Sequence, residues 1–195
     1  MTPMSNSEDS AASTGGVFVV SGPTAVGKGT VCGRLRELHP EIFVSVSVTT
    51  RAPRPGEVDG VHYHFVDDPA FDRMIAEDGL LEWAVVHQRA RYGTPRQPVE
   101  QAVARGEVVI LEIDLQGARQ VRQSYPEATH IFLEPPSWDE LVRRLVGRGT
   151  ETREQQAERL ATARVELESK AHFDEVLVNG EIEETVDRVV ELTGL

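Results

Sequence analysis

The chain is poor in lysine and cysteine, and it has no long apolar run. Of its 20 basic residues only Lys28 and Lys170 are lysines; the rest are arginines. The single cysteine, Cys32, has no partner for an internal disulfide and is expected to pack in the core. No apolar stretch approaches the roughly 18 residues of a membrane-spanning helix. The first residues carry no signal-peptide pattern, and a cytoplasmic protein is expected. Positive charge is in deficit overall: the formal net charge of −12 argues against general binding to nucleic acid or to an anionic membrane.

What is present has the length and balance of one globular domain, with 195 residues, 39% hydrophobic and 27% charged. Residues 1–15, rich in Ser, Thr and Ala, read as a disordered tail before a domain spanning 16–195. The arginines gather at Arg51/Arg54, Arg89/Arg91/Arg96 and Arg143/Arg144/Arg148. Such clusters in an acidic chain suit small, highly charged anions, although any one of them could simply be a solvated face.

The most informative stretch is Gly22-Pro-Thr-Ala-Val-Gly-Lys-Gly-Thr30. An apolar, β-branched run, Val17–Val20, precedes it, and Val31, Leu35 and Leu38 follow at helical spacing. Strand, glycine loop, lysine and helix in that order predict a phosphate-binding loop. Its backbone N–H groups and the helix N-terminus would face the phosphates, with Lys28 as a point charge. Gly22, Pro23, Thr24, Ala25, Val26, Gly27, Lys28, Gly29 and Thr30 are therefore candidate ATP-binding residues. The pattern wants Ser or Thr directly after the lysine, where this chain has Gly29. The hydroxyl that would assist Mg²⁺ must come from Thr30 or be replaced by water.

Beyond the loop, Phe43–Val48 alternates apolar and small polar residues as one strand would, and Arg51–Gly56 breaks into a loop. His62–Val66 and Leu81–His87 read as extended. Asp68-Pro69 is expected to cap a helix that Gly79 closes, and Thr94-Pro-Arg-Gln97 to form a capping box for a helix ending at Gly106. Val108–Leu111, Thr129–Leu133 and Glu175–Val178 are short apolar strands. Trp138–Val146 and a segment opened by a second capping box, Thr152–Gln155, read as helices. The latter buries Leu160, Ala163, Leu167 and Ala171. The C-terminal helix carries Val186, Val189 and Val190. Strands alternating with helices predict an α/β fold with a parallel sheet core flanked by helices. The segment of about 48–98 breaks that rhythm and is expected to form an inserted β-rich lobe.

Ser45-Val-Ser-Val-Thr-Thr-Arg-Ala-Pro-Arg-Pro-Gly-Glu57, Gly60-Val-His-Tyr-His-Phe65 and Gly147-Arg-Gly-Thr-Glu-Thr152 together resemble the signature of guanylate kinases. The resemblance covers residues 16–193. It implies a P-loop kinase fold with a GMP-binding lobe and a short mobile lid at about 144–165. The implied activity is transfer of a phosphoryl group from ATP to GMP or dGMP with Mg²⁺. Carried over by position, Arg51, Arg54, Tyr63 and Tyr92 match the holders of the GMP phosphate. Ser47, Glu82, Thr94 and Asp114 match the guanine-reading positions, and Arg144, Arg148 and Arg159 the arginines around the transferring group. With Lys28, these three arginines make up the expected catalytic set.

The chemistry supports that set. Guanine offers donors at N1 and N2, whereas adenine presents a lone pair at N1, so a carboxylate at Glu82 accepts from one and confronts the other. The plainer alternatives are an exposed strand-end charge for Glu82 and a loop cap for Asp114. A phenol at Tyr63 or Tyr92 donates a hydrogen bond to phosphate without adding charge. Two other readings share parts of this pattern. Guanylate-kinase-like scaffolding domains bind phosphorylated partners, but typically lose the loop lysine or the lid arginines. A kinase of a phosphorylated sugar would keep the loop without the base-reading set.

Overall fold

The computed structural model describes residues 15–86, 90–147 and 152–195. Five parallel strands make the main sheet: β1 (Val17–Ser21), β2 (Phe43–Val44), β7 (Val109–Glu112), β8 (Thr129–Glu134) and β9 (Glu175–Val178). Their order is β2-β7-β1-β8-β9. Strands buried on both sides must be apolar at successive positions, as β1, β7 and β8 are, whereas Val176 and Val178 of the edge strand β9 are exposed. Phe18, Val20, Ile110, Ile131 and Leu133 face one core, where α1 (Lys28–Leu38), α5 (Trp138–Val146), α6 (Arg153–Glu168) and α7 (Ile182–Thr193) pack. Val17, Val19, Val109 and Leu111 face the other, against α3 (Arg96–Ala104) and α4 (Leu115–Ser124). Cys32 lies in the first core at 1% exposure, and burial raises its thiol pKa, so it packs rather than reacts.

The second sheet, ordered β4-β3-β6-β5, comes from β3 (Val48–Thr49), β4 (His64–Phe65), β5 (Leu80–Val86) and β6 (Ala90–Pro95). It closes over α2 (Asp68–Ala76) on a small core of Val48, Phe71 and Leu80.

The structure departs from the sequence pattern in several places. Phe43–Val48 is not one strand: Ser45 N–H still bonds Ile110 of the main sheet, but the Ser47 carbonyl accepts from His64 of the small one. The chain changes sheets within three residues, and residue alternation cannot register a change of partner. The cap of α2 is Asp67, whose Oδ1 accepts from Ala70 N–H at 2.8 Å, not Asp68. Thr94 caps nothing: it lies in β6, its hydroxyl turns to Glu82, and α3 starts without a side-chain cap. The Thr152–Gln155 capping box does form. On α6 only Ala163 is fully buried, and Ala171 belongs to a separate 3-10 turn, Ser169–His172. Helix α4 escaped periodicity, because its buried face is Gly117, Ala118 and Val121 in an otherwise polar segment.

Candidate active site

The loop Gly22–Gly27 leaves the C-terminal end of β1 between the ends of β7 and β8. The strand order turns there, and α/β sheets bind ligands at such a point. A Cβ on Gly22, at φ +147°, would lie 2.3 Å from the Leu133 carbonyl, so the loop can close on β8 only with glycine. Lys28 Nζ bends back to the carbonyls of Gly22 at 2.7 Å and Pro23 at 3.2 Å, spanning the hollow of the loop. Thr30 is exposed in the first turn of α1, beside the exposed Gly29.

Next to that turn, β7 ends in Glu112, which sequence reasoning missed. A Cβ on Gly29 would meet Glu112 Oε1 at 3.4 Å. The carboxylate therefore stands where the usual hydroxyl after the lysine would point. It makes no hydrogen bond among the described residues. Burial raises its pKa, while Lys28 and Arg36 pull it down, and its charge in turn raises Tyr63 of the small sheet. The available signal was a charged residue ending an apolar parallel strand.

In the lobe, Arg51 donates from Nε to the Tyr92 hydroxyl at 3.0 Å. It forms a bidentate pair with Glu57, both bonds 2.9 Å, and lies over the Tyr63 ring at 5.3 Å. A Tyr92 oxygen that already accepts from Arg51 has its own proton free to donate to an anion. Glu57, also missed, accepts from the Arg54 backbone N–H at 2.6 Å and so holds the exposed Arg54 next to Arg51. Burial raises the Tyr63 pKa, which keeps its phenol a donor.

Glu82 is no exposed strand-end charge. It is 5% exposed on β5 and accepts the Thr94 hydroxyl at 2.6 Å. Desolvation raises its pKa to about 7, opposed by the Thr94 hydrogen bond and reinforced by Asp114. Its Oε2 rests on α4: a Cβ on Gly117 would come within 2.3 Å of it. Asp114 does act as a cap, accepting the Gly117 N–H of α4 at 2.8 Å, and that cap places its charge beside Glu82. Ser47 is half-buried in the segment that changes sheets.

The arginine clusters divide. Arg91 pairs with Asp68 and Asp72, and Arg96 with Asp78, pinning α2 and α3 instead of waiting for an anion. Arg144 spends Nε on Glu140 at 2.8 Å, Nη1 on the Val26 carbonyl at 3.0 Å and Nη2 on the Asn179 carbonyl at 3.2 Å. In this conformation it braces the phosphate loop. Arg159 is half-buried on α6 and already engaged. Arg148 and Arg89 lie outside the described residues.

The guanylate kinase family model matches residues 15–193. A guanylate kinase of Cutibacterium acnes is 63% identical over 179 residues, 92% of this chain and 90% of that protein. The chain belongs to the guanylate kinase family. A guanylate kinase of Leifsonia xyli is 62% identical over 176 residues, 90% of this chain and 69% of its own length. The crystal structure of the Anaplasma phagocytophilum guanylate kinase superposes with a TM-score of 0.77 at 38% identity, covering 92% of this chain and 85% of that one. As a guanylate kinase the chain is an ATP:GMP phosphotransferase, and its α/β fold is that of the P-loop kinases. Among the described residues no helix is long and apolar enough to cross a membrane.

Proposed function

We propose that this cleft phosphorylates GMP and dGMP with ATP and Mg²⁺ in the cytoplasm, and that its two halves divide the work as follows. The phosphate loop, Gly22 to Thr30, holds the triphosphate, with Lys28 turning from the loop carbonyls to the phosphates. Arg51, Arg54, Tyr63 and Tyr92 hold the acceptor phosphate. Glu82, Ser47, Thr94 and Asp114 read guanine. Arg148 and Arg159 neutralise the transferring phosphoryl group, with Arg144 behind the loop. The observation that carries this reading is Glu82: a buried carboxylate with one oxygen bonded to Thr94 and no basic partner among the described residues is built to receive N–H donors, which guanine supplies.

An oxygen of the GMP phosphate attacks the γ-phosphorus of ATP in line, and the bond to the β–γ bridging oxygen breaks, giving ADP and GDP. The attacking oxygen is already anionic, so no side chain need remove a proton. Alignment and neutralisation of the equatorial oxygens supply the catalysis. Arginine suits that task because its planar fork meets two phosphate oxygens at once.

The residues beside the loop fit Mg²⁺. Glu112 is a carboxylate without a hydrogen-bond partner among the described residues, and Thr30 is an exposed hydroxyl in the same turn as Gly29. They would hold the ion directly or through water, with the phosphates as its other ligands. When bound, the ion would neutralise charge on the β- and γ-phosphates. Closure over both substrates keeps water, the competing acceptor, out of line. A phosphate-transfer assay offering GMP, dGMP, AMP and a sugar phosphate side by side tests the reading. Turnover confined to the two guanine nucleotides is expected, and equal use of AMP would sink the base-reading set.

A further inference from the structure

Within the phosphate loop, Ala25 has φ +63°, a left-handed conformation that glycine adopts freely and an L-residue resists. For alanine that region is disfavoured by roughly five- to thirtyfold. The residues on either side are held from outside the loop. On one side the Thr24 backbone N–H donates to Glu166 Oε2 of α6 at 3.0 Å, across 142 residues of sequence. On the other the Val26 carbonyl accepts from Arg144 of α5 at 3.0 Å and from Asn179 Nδ2 at 2.8 Å. Asn179 is itself fixed, its Oδ1 accepting the Thr185 hydroxyl at 3.0 Å. Val26 N–H returns to the Pro23 carbonyl at 3.2 Å. The Pro23–Thr24 peptide and the Val26 carbonyl are thus held on either side of the left-handed residue, so Ala25 can turn toward a right-handed conformation only if the flanking backbone moves against these anchors.

We propose that Glu166 is a positioning residue for ATP: by anchoring Thr24 N–H, it holds Ala25 left-handed and keeps the loop amides convergent before the triphosphate arrives. Glu166 does not touch the phosphates in this role. It acts through the Thr24 peptide, as an external substitute for the conformational freedom that glycine would bring to position 25. The carboxylate is well suited to this. Burial raises its pKa and Asp114 adds to that, while Lys28 nearby and the Thr24 N–H itself favour the charged form that accepts the bond. Most of α6 lies within the expected lid, and this bond ties the C-terminal part of that helix to the loop.

The inference rests on the loop being the ATP site, and a double-mutant cycle tests it. Phosphoryl transfer is measured with ATP varied at saturating GMP and the reverse, for wild type, Ala25→Gly, Glu166→Ala and Ala25→Gly/Glu166→Ala. Loss of a charge-assisted hydrogen bond corresponds to roughly ten- to a hundredfold in an equilibrium constant. Glu166→Ala should raise KM for ATP by about that factor with KM for GMP unchanged. In the Ala25→Gly background the same truncation should cost less than about threefold, because glycine needs no anchor. Glu166→Gln keeps an acceptor oxygen and should stay near wild type. Glu166→Leu, which keeps bulk without an acceptor, is run in parallel in both backgrounds in case the alanine variant does not fold. Equal cost in both backgrounds, an unchanged KM for ATP, or a Gln variant as impaired as Ala would overturn the proposal. Failure of wild type to use ATP, or normal turnover by Lys28→Ala, would instead overturn the reading of the loop.

Discussion

The Thr94 hydroxyl donates to Glu82 at 2.6 Å with both side chains buried, joining the two antiparallel strands β5 and β6 at their inner face. Thr94 thus spends its single proton on the carboxylate, and it can meet a base only as an acceptor. Its chief effect on recognition runs through Glu82. Glu82→Gln keeps the shape but replaces one acceptor oxygen with a donor. Charge-assisted hydrogen bonds contribute about 1.5–3 kcal/mol, so kcat/KM for GMP should fall about 10- to 150-fold while use of AMP stays poor. Steady-state constants for both nucleotides, wild type beside variant, check this.

Glu82 also sets a pH dependence. Burial disfavours its charged form, so the folded carboxyl titrates near 7 against a usual value near 4.5. On the proposed reading guanine needs the carboxylate, so kcat/KM for GMP should rise as pH climbs through about 7 and then level off. The contribution to folding runs the other way. It is fully present below about 4.5, where both states are protonated, and is lost as pH rises through about 7. In the free protein at pH 8, Glu82→Gln should therefore melt at a higher temperature than wild type, even as it loses GMP efficiency. Calorimetry at pH 5 and 8 reads the difference directly.

Gly117 is where α4 makes room for that carboxylate, since a Cβ would approach Glu82 Oε2 to 2.3 Å. Gly117→Ala should weaken GMP use at least about tenfold and leave KM for ATP alone, as expected when a displaced acceptor loses one good hydrogen bond. Glu82→Asp, one methylene shorter, should restore part of the loss when combined with Gly117→Ala. No recovery in the double variant would mean that the glycine serves the helix start rather than the carboxylate.

Lys28 Nζ donates to the Gly22 and Pro23 carbonyls of the loop, and on the proposed reading the ATP phosphates take their place, away from the guanine-reading residues. Lys28→Ala should lower kcat by at least about 100-fold, the usual cost of removing one positioned donor from a developing charge. GMP binding, followed by calorimetric titration, should remain close to wild type.

Glu112 and Thr30 should separate by their response to metal. Glu112→Gln is expected to raise the Mg²⁺ concentration for half-maximal rate about 10- to 100-fold, the range seen when metal-supporting groups are removed. Thr30→Val should do the same less strongly, with KM for GMP unchanged in both. Identical Mg²⁺ titrations for all three proteins would leave the ion to water and phosphate alone.

Much of this molecule was legible one residue at a time. Val17–Val20 followed by the glycine loop placed β1, the turn and α1, because a buried parallel strand, positive-φ glycines and a helix start each impose their own residue types. The run Thr152–Gln155 announced a capping box, which is local chemistry among four residues, and the box is there. Thr94–Gln97 carries a similar pattern and forms none, because Glu82, twelve residues away, offers Thr94 a better partner than the start of α3. The same competition sent Phe43–Val44 and Val48–Thr49 into different sheets.

Short-range spacing was enough to announce the phosphate loop, most of the core strands and the family resemblance, but not α4, whose buried face is Gly117, Ala118 and Val121. The roles of the charges came from tertiary packing. It buried Glu82 against Gly117, set Glu112 beside Gly29, committed Arg91 and Arg96 to carboxylates, and brought Glu166 and Arg144 to the two sides of Ala25. The physical reason is that a charged side chain takes its role from desolvation and from the nearest opposite partner, and neither is written in its neighbours along the chain.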